Sequence, residues 1–436
     1  MSSLHLPRLG LQLPGLADVP LPRMLPVAQR FDDSRIEDLS GTLSSALQGL
    51  SQQTKDSLRG RRICLGVGSR GIPQLPQLVR GLVDFLKQQG AQPFLIPAMG
   101  SHGGATAEGQ RALLAEFGIT PEAMGVPLLS SMEAVEIGRL ADGTPVYCDK
   151  LALAADGVVV FNKVKPHSDF RHTHESGLAK MCAVGYGKHL GAAALHAQGF
   201  QGFGPRVEEA ARIFLQRVPV AFGLGVVENA LGQLCALEAA EAGDLMACDA
   251  RLLALARSRM AAIKLNDLDV LIIDEIGKEF SGNGHDPNIT GRTPSPGFED
   301  ILRCQRMVIR DLSPHGGGNA SGLSLADVAT RRALETADLR VTWTNLLTAG
   351  LPHGCKLPLY AENDWEALRL ALYTCPGLTH RPPRVVRIRN TKQLRVIEAS
   401  EGCLEEIGLR DDLQALGEPR QMAFDAEGNL GDMREA

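Results

Sequence analysis

The strongest constraint on this chain is the way its apolar residues change period. Short β-rich runs, RICLGVGS (62–69), PFLIPAMG (93–100), GVVVFNKV (157–164), VPVAFGLGVV (218–227), LDVLIIDEIG (268–277), RMVIRDLS (306–313) and VVRIRNTKQLRVIEA (385–399), alternate with stretches at helical spacing. The first two runs are joined by LPQLVRGLVDFLKQQG (75–90), whose apolar residues fall on one helical face and whose last residue, Gly90, suits a helix C-cap. Strand, helix, strand with short connections predicts an α/β fold with mostly parallel sheets flanked by helices. In such sheets ligands sit beyond the carboxyl ends of the strands, so the residues just after each run carry the functional information.

A chain of 436 residues, 44% of them apolar, can bury a sizeable core and is expected to form two domains. The segment ALEAAEAGDLMACDARLLALARSRMAAIK (236–264) reads as one long helix and a new strand follows at 268, so the boundary is placed near 265, giving domains 1–265 and 266–436. A net charge of −5 gives no general attraction to nucleic acid or to an anionic membrane surface. The nine cysteines are scattered singly without a CxxC, which reads as reduced thiols. The Pro- and Leu-rich start, MSSLHLPRLGLQLPGLADVPLPRM, lacks a basic region followed by an unbroken apolar core, and no later stretch reaches about 18 apolar residues. A cytoplasmic protein is expected.

Three consecutive strand ends carry cationic or proton-transferring groups. GSRGIP sets Arg70 in a glycine-containing turn, MGSHGGAT sets His102 in another ahead of a helical pattern beginning near Thr106, and KPHSDFRHTHESGLAK supplies His167, His172, His174 and then Lys180. A single Arg or His in a surface turn is usually just solvated; three such turns together suit an anion whose protons are to be moved. His167, His172 and His174 also admit a zinc site, and with it a hydrolase or lyase, although neither a Cys pair nor HExxH spacing accompanies them. GLGVVENALG (223–232) lacks the GxGxxG of a dinucleotide site. Lys180 lies in SGLAKMCAVGYGKHLGAAALHAQGF (176–200), where its neighbours are glycine, alanine, methionine and cysteine. The plain account of it is a lysine reaching for water from a helix start.

These motifs, in this order, resemble the nickel-dependent lactate racemases and their 2-hydroxyacid racemase and epimerase relatives. GSRGIP resembles that family's substrate-carboxylate turn, MGSHGGAT its first catalytic-histidine loop, and IGRLADGTPVYCDKLALAADGVVVFNKVKPH (137–167) the stretch leading to its second, with eleven residues from Asp156 to His167. SGLAK resembles the turn whose lysine holds the cofactor, and the sixteen residues from Lys180 to His196 match the interval to the metal-binding histidine; His189, nine residues on, is the competing ligand. The resemblance implies that Lys180 is acylated by a nickel-pincer nucleotide, a pyridinium-derived group holding nickel through sulfur and carbon, with His196 as the protein's ligand to the metal. An acylated amine is neutral, which fits its small apolar neighbours. It implies further that Arg70 holds a 2-hydroxy acid, that His102 and His167 move its protons, and that cofactor-synthesis proteins act as transient partners. Domain 1–265 would bind cofactor and domain 266–436 would close over the substrate, with the active site in the cleft between them.

The sequence also departs from the family pattern. Val67 stands where an Asp is usual, and thirteen residues instead of about ten separate His167 from Lys180, which implies an insertion or makes His174 the second acid/base. GNGHDPNITGR (282–292) resembles the family's substrate-side loop, but Gly291 replaces its amide and no lysine follows. These departures argue against lactate itself, with Arg292, Lys278 and His285 as substitute polar contacts, Arg292 foremost, for a larger 2-hydroxy acid. A cofactor-binding protein without catalysis is the remaining alternative, and retention of nucleotide without turnover would distinguish it.

Overall fold

The computed structural model describes residues 5–69, 71–348 and 350–433. The chain divides into two compact units, Asp32–Met260 and a second that joins the stretch ending at Phe31 to the stretch beginning at Ala261. The expected partition was 1–265 and 266–436. The difference lies at the start of the chain, where the Pro-rich lead carries the strand Arg23–Gln29, and that strand pairs antiparallel with Val396–Ser400 and with Leu413–Ala415.

In the unit Asp32–Met260 a five-stranded sheet runs in the order Gln92–Pro97, Arg62–Val67, Gly157–Lys163, Val220–Glu228, Leu234–Glu241. The first four are parallel and the last is antiparallel. Alternate side chains enter two separate cores, as period-two geometry requires. Cys64, Ile96, Val158 and Val160 pack on one face with the helices Phe203–Arg217 and Leu245–Arg259; Leu65, Leu95, Val159 and Phe161 pack on the other with Leu39–Gln48 and Leu75–Gln88. The latter helix ends at Gln88 with Gln89 as its C-cap, and Gly90, predicted as the cap, follows it with φ of 79°. The chain leaves Arg62–Val67 toward one sheet edge and Gly157–Lys163 toward the other. The loops beyond these two neighbouring strands therefore part from each other, which opens a crevice for a ligand.

In the other unit Leu359–Ala361, Val328–Thr330, Cys304–Leu312, Leu268–Ile276 and Val385–Ile388 run parallel in that order, followed by antiparallel Val396–Ser400, Arg23–Gln29 and Leu413–Ala415. Both faces are again buried, Leu271 and Ile273 on one and Val270 and Ile272 on the other. The fold class is α/β with mostly parallel sheets flanked by helices, as the sequence predicts.

Two expectations fail locally. The run 385–399 is a hairpin of two strands, turned at Asn390, whose side chain accepts the N–H groups of Lys392 and Gln393 at 3.0 and 3.1 Å. The 236–264 stretch is not one helix: Leu234–Glu241 is the sheet's antiparallel edge strand, and a short 3-10 turn, Ala242–Asp244, leads into the α-helix Leu245–Arg259. Alanine and glutamate favour a helix, but pairing along Val220–Glu228 outweighs a propensity worth tenths of a kcal/mol per residue.

Candidate active site

The site is built by a single run of chain, 162–196, laid over the carboxyl ends of the sheet. After the strand Gly157–Lys163 the loop closes on itself where Lys165 and Ser176 exchange backbone hydrogen bonds of 2.8 and 3.2 Å. Two buried carboxylates hold its interior. Glu175 accepts the N–H groups of His167 (2.7 Å) and His172 (3.0 Å) and pairs with Arg257 at 2.5 Å. Asp249 accepts Leu178 N–H at 2.5 Å and meets His174 Nδ1 at 3.0 Å. Arg257 and Asp249 both come from the helix Leu245–Arg259, so that helix is the scaffold for the loop and for the turn that presents Lys180. Gly177 marks the contact, since a Cβ there would lie 2.0 Å from Asp249 Oδ1.

Beyond Lys180 the backbone widens into a π-turn, Met181–Gly185, closed by the bond from Tyr186 N–H to Met181 O at 2.9 Å. The Tyr186 hydroxyl fixes this turn to the sheet, donating to Val159 O at 2.7 Å and accepting Gly66 N–H at 2.8 Å. The other two strand-end turns rest on the same segment. Gly68 has room for little beside Met181, whose Cε would lie 3.2 Å from an added Cβ, and Gly100, in the left-handed region at φ 59°, meets Val184 and Ala192. His102 is exposed in this second turn, and its Nδ1 contacts Ser69 Oγ. Thr106 caps the helix Ala107–Glu116 behind it, as expected.

The sequence-predicted groups converge in part. Lys180 Nζ contacts His167 Nε2, and the 167 ring stacks on Phe170 at 4.4 Å and approaches Phe200 at 6.2 Å. His196, at the end of the helix Lys188–His196, packs against the same Phe200 (5.7 Å) and against Phe203 (4.8 Å). Its Nδ1 donates to Ala192 O at 2.6 Å, which leaves Nε2 with a lone pair for a hydrogen-bond donor or a metal ion. Burial lowers its pKa, and so would a charge on nearby Lys180, so the imidazole is kept neutral. His189 is exposed on the same helix, outside this aromatic pocket.

The three-histidine zinc arrangement does not assemble. His167 faces Lys180, His174 is taken by Asp249, and His172 lies 3.7 Å from Glu208 with its pKa lowered by burial. Among the described residues no three His, Cys, Asp or Glu side chains gather as a metal site. Cys182, buried beneath the π-turn, has its pKa raised by burial and stays a thiol. A metal that brings most of its own ligands and needs one imidazole has that imidazole in His196.

Arg70 lies outside the described residues. Arg292, expected to touch substrate, is placed elsewhere: its guanidinium donates to the carbonyls of Cys304 and Gln305, both at 3.1 Å, and to Asp327 at 3.0 Å. These groups stand at the amino ends of the strands Cys304–Leu312 and Val328–Thr330, away from the carboxyl-end loops where a substrate belongs. His285 is buried with Nδ1 3.0 Å from Thr290 Oγ1, and burial together with Arg292 pushes its pKa down to about 4. Lys278 is exposed. Asp156, whose spacing matched the family, accepts Arg62 N–H at 2.8 Å at the opposite end of the sheet and is structural.

Sequence reasoning missed a buried network behind His102. Lys188, fully buried and in the left-handed region at φ 54°, donates to Pro97 O (2.8 Å) and Gln110 Oε1 (2.9 Å) and pairs with Asp149 at 3.2 Å. Gln110 in turn donates to Gly100 O and His102 O at 2.9 and 3.2 Å, fixing the turn. Burial lowers the Lys188 pKa and raises that of Asp149, and their attraction opposes both shifts. Its only trace in the sequence is a lysine in the glycine-rich GYGK.

No protein-family model and no curated protein matches this chain. Among solved structures it is similar to the lactate racemase apoprotein from Thermoanaerobacterium thermosaccharolyticum, with 14% identity, coverage of 86% of this chain and 89% of that one, and a TM-score of 0.47. It is also similar to a protein from Thermotoga maritima, with 16% identity, coverage of 62% and 70%, and a TM-score of 0.46.

Proposed function

We propose that this protein is a nickel-dependent racemase or epimerase acting at the hydroxyl-bearing carbon of a 2-hydroxy acid, with a pincer nucleotide tethered to Lys180. The observation that carries the reading is the meeting, around Phe200, of His167 with Lys180 on one side and His196 on the other. The spacing of Lys180 and His196 matches the family, and the pocket supports the roles that spacing implies. The small residues of the 177–185 segment and its aromatic walls suit a flat heteroaromatic group, and the His196 Nε2 lone pair suits nickel as one imidazole donor. When bound, that group supplies a carbon able to take the α-hydrogen as hydride and return it to either face.

The chain's own residues do the rest. Arg70 is assigned to the substrate carboxylate on the strength of its turn. His102 and His167 stand on different strand-end loops, and a reaction that runs in both directions needs one proton-transferring group for each face of the planar keto acid. Ser69 contacts His102 at Nδ1 and so helps to orient the ring. The Phe170, Phe200 and Phe203 side chains exclude water from the lysine side.

The test is intact and peptide mass of protein produced together with cofactor-synthesis proteins. An adduct on the Lys180 peptide, nickel in the protein and visible absorption are expected, with Lys180→Arg as inactive as Lys180→Ala because a guanidinium is a poor acyl acceptor. Active protein with an unmodified Lys180 would overturn the reading.

A further inference from the structure

We infer that, before any cofactor is attached, His167 holds Lys180 as a neutral amine ready for its own acylation, and that acylation is the event that frees His167 for proton transfer. The inference rests on the proposed function for the identity of the acyl group and for the role of His167 in proton transfer. It starts from the tautomer of His167. The backbone N–H of Asp169 donates to His167 Nδ1 at 3.0 Å, so Nδ1 carries a lone pair and the proton of the ring sits on Nε2. Nε2 is the atom that meets Lys180 Nζ. An ammonium has no lone pair and cannot accept from Nε2–H, whereas an amine can. The hydrogen bond at Nδ1 thus fixes the roles at the other end of the ring: imidazole donates and Lys180 accepts.

One side of the pair is apolar. Phe170 covers one face of the 167 ring, and Phe200 and Phe203 complete an apolar wall shared with His196. The charged and titratable groups around the pair include Asp169, whose Oδ2 lies 3.6 Å from His167 Nδ1, Glu175 with Arg171 3.8 Å from it, and His196 from its helix. Glu175 is engaged by two backbone N–H groups and by Arg257.

The chemical step balances without an oxidant. The hydrogen bond from Nε2–H to Nζ breaks, and the freed Nζ lone pair attacks the carbon of an activated carboxylic acid, such as an acyl phosphate or an acyl adenylate. A C–N bond forms, the bond to the leaving group breaks with its electron pair, and one N–H proton passes to the leaving group or to solvent. In the amide product the nitrogen lone pair is delocalised and no longer accepts a hydrogen bond. Nε2–H of His167 is then released toward the substrate side. An unloaded chain has its second acid/base occupied, and loading itself completes the site.

The experiment uses the cofactor-free full-length protein at pH 7 and a limiting amount of N-hydroxysuccinimidyl acetate, with site-resolved mass spectrometry. An ordinary lysine, with a pKa of about 10.4, is neutral in only about one molecule in 2,500 at this pH. Lys180 should therefore be acetylated at least about tenfold faster than exposed Lys87 and Lys392. His167→Ala should reduce Lys180 to their rate, and His167→Gln, which keeps an N–H donor, should retain part of the advantage. Because a variant at 167 could perturb the loop, ¹⁵N spectra of imidazole-labelled wild-type protein give the second reading: the Nε2–H tautomer before acetylation, and a displaced Nε2 signal after it. Reaction of Lys180 at the rate of Lys87, or a His167 protonated at Nδ1, would overturn the inference while leaving a nickel adduct free to be found on the loaded enzyme. Fast acetylation with no adduct on an active loaded enzyme would instead remove the proposed function and leave Lys180 a reactive amine.

Discussion

A lone imidazole serves a metal well only when its other nitrogen is already committed, and His196 meets that condition through the Ala192 carbonyl. Replacing it should therefore separate two events that coincide in the intact site. In His196→Ala the Lys180 adduct is expected to remain while nickel per adduct falls about tenfold or more on desalting, measured by metal analysis against adduct mass. His102→Ala should do the reverse, keeping adduct and nickel while turnover of the preferred 2-hydroxy acid drops by roughly 10²- to 10⁴-fold, the usual contribution of a positioned acid or base. His285 makes a prediction of another kind. Its folded-state pKa of about 4 lies below the unfolded value of about 6.5, so the native state resists a proton that the unfolded chain accepts. Stability from this residue is intact above pH 6.5 and is lost as the pH falls toward 4, on the order of 3 kcal/mol over that window. Wild-type protein should lose more melting temperature between pH 7 and 4.5 than His285→Gln does; equal losses would show that His285 titrates normally.

At the scale of elements, the helix Leu245–Arg259 matters to the site although it contributes no reacting group. Asp249→Ala would strand Leu178 N–H and His174 Nδ1 in a buried place, at a cost of roughly 2–4 kcal/mol. Amide exchange over 165–180 is expected to quicken while exchange in the sheet strands stays slow; uniform protection in the variant would mean that the loop holds itself. This dependence also marks where the sequence stops being legible. Arg62–Val67, Gln92–Pro97 and Gly157–Lys163 were readable because both of their faces are buried, which leaves unbroken apolar runs. In the segment 177–196 the sequence offered an interval, from Lys180 to His196, which the structure spans with a π-turn and one helix. Asp249 was not readable, since a helical carboxylate that accepts a backbone N–H from a distant loop has no local pattern and looks like any solvated charge, and Glu175, which holds its own loop, reads in sequence as one more polar loop residue. Leu234–Glu241 was misread for a related reason: its LEAAE composition is helical, and only a neighbouring strand makes it otherwise.

For the molecule as a whole, the division of the chain is the feature with the most testable consequence. The strand Arg23–Gln29 was hidden because Pro26 sits in it, and proline cannot donate to a ladder. It is tolerated here because the strand's partners beyond Val396–Ser400 are only the short Leu413–Ala415 and Arg420–Gln421. The strand brings Leu25 and Val27 into the core with Leu271, Ile273 and Ile397, and Gln29 donates to Leu394 O at 2.7 Å in the buried interior. A fragment 261–436 lacks this strand. It would expose the paired edge of Val396–Ser400 together with the apolar surface that Leu25 and Val27 cover, each such side chain representing about 1.5–3 kcal/mol of burial. Against a typical net stability of about 5–15 kcal/mol, that loss and the open strand edge are enough to unfold or aggregate the fragment. The fragment 32–260, whose five-stranded sheet draws all its strands from this one stretch, should fold without help. Circular dichroism and amide exchange on the two fragments should therefore differ sharply, and a peptide spanning 5–31 added to 261–436 should restore cooperative unfolding. Cooperative folding of 261–436 on its own would show that the N-terminal strand is an ornament of that sheet and not a part of its core.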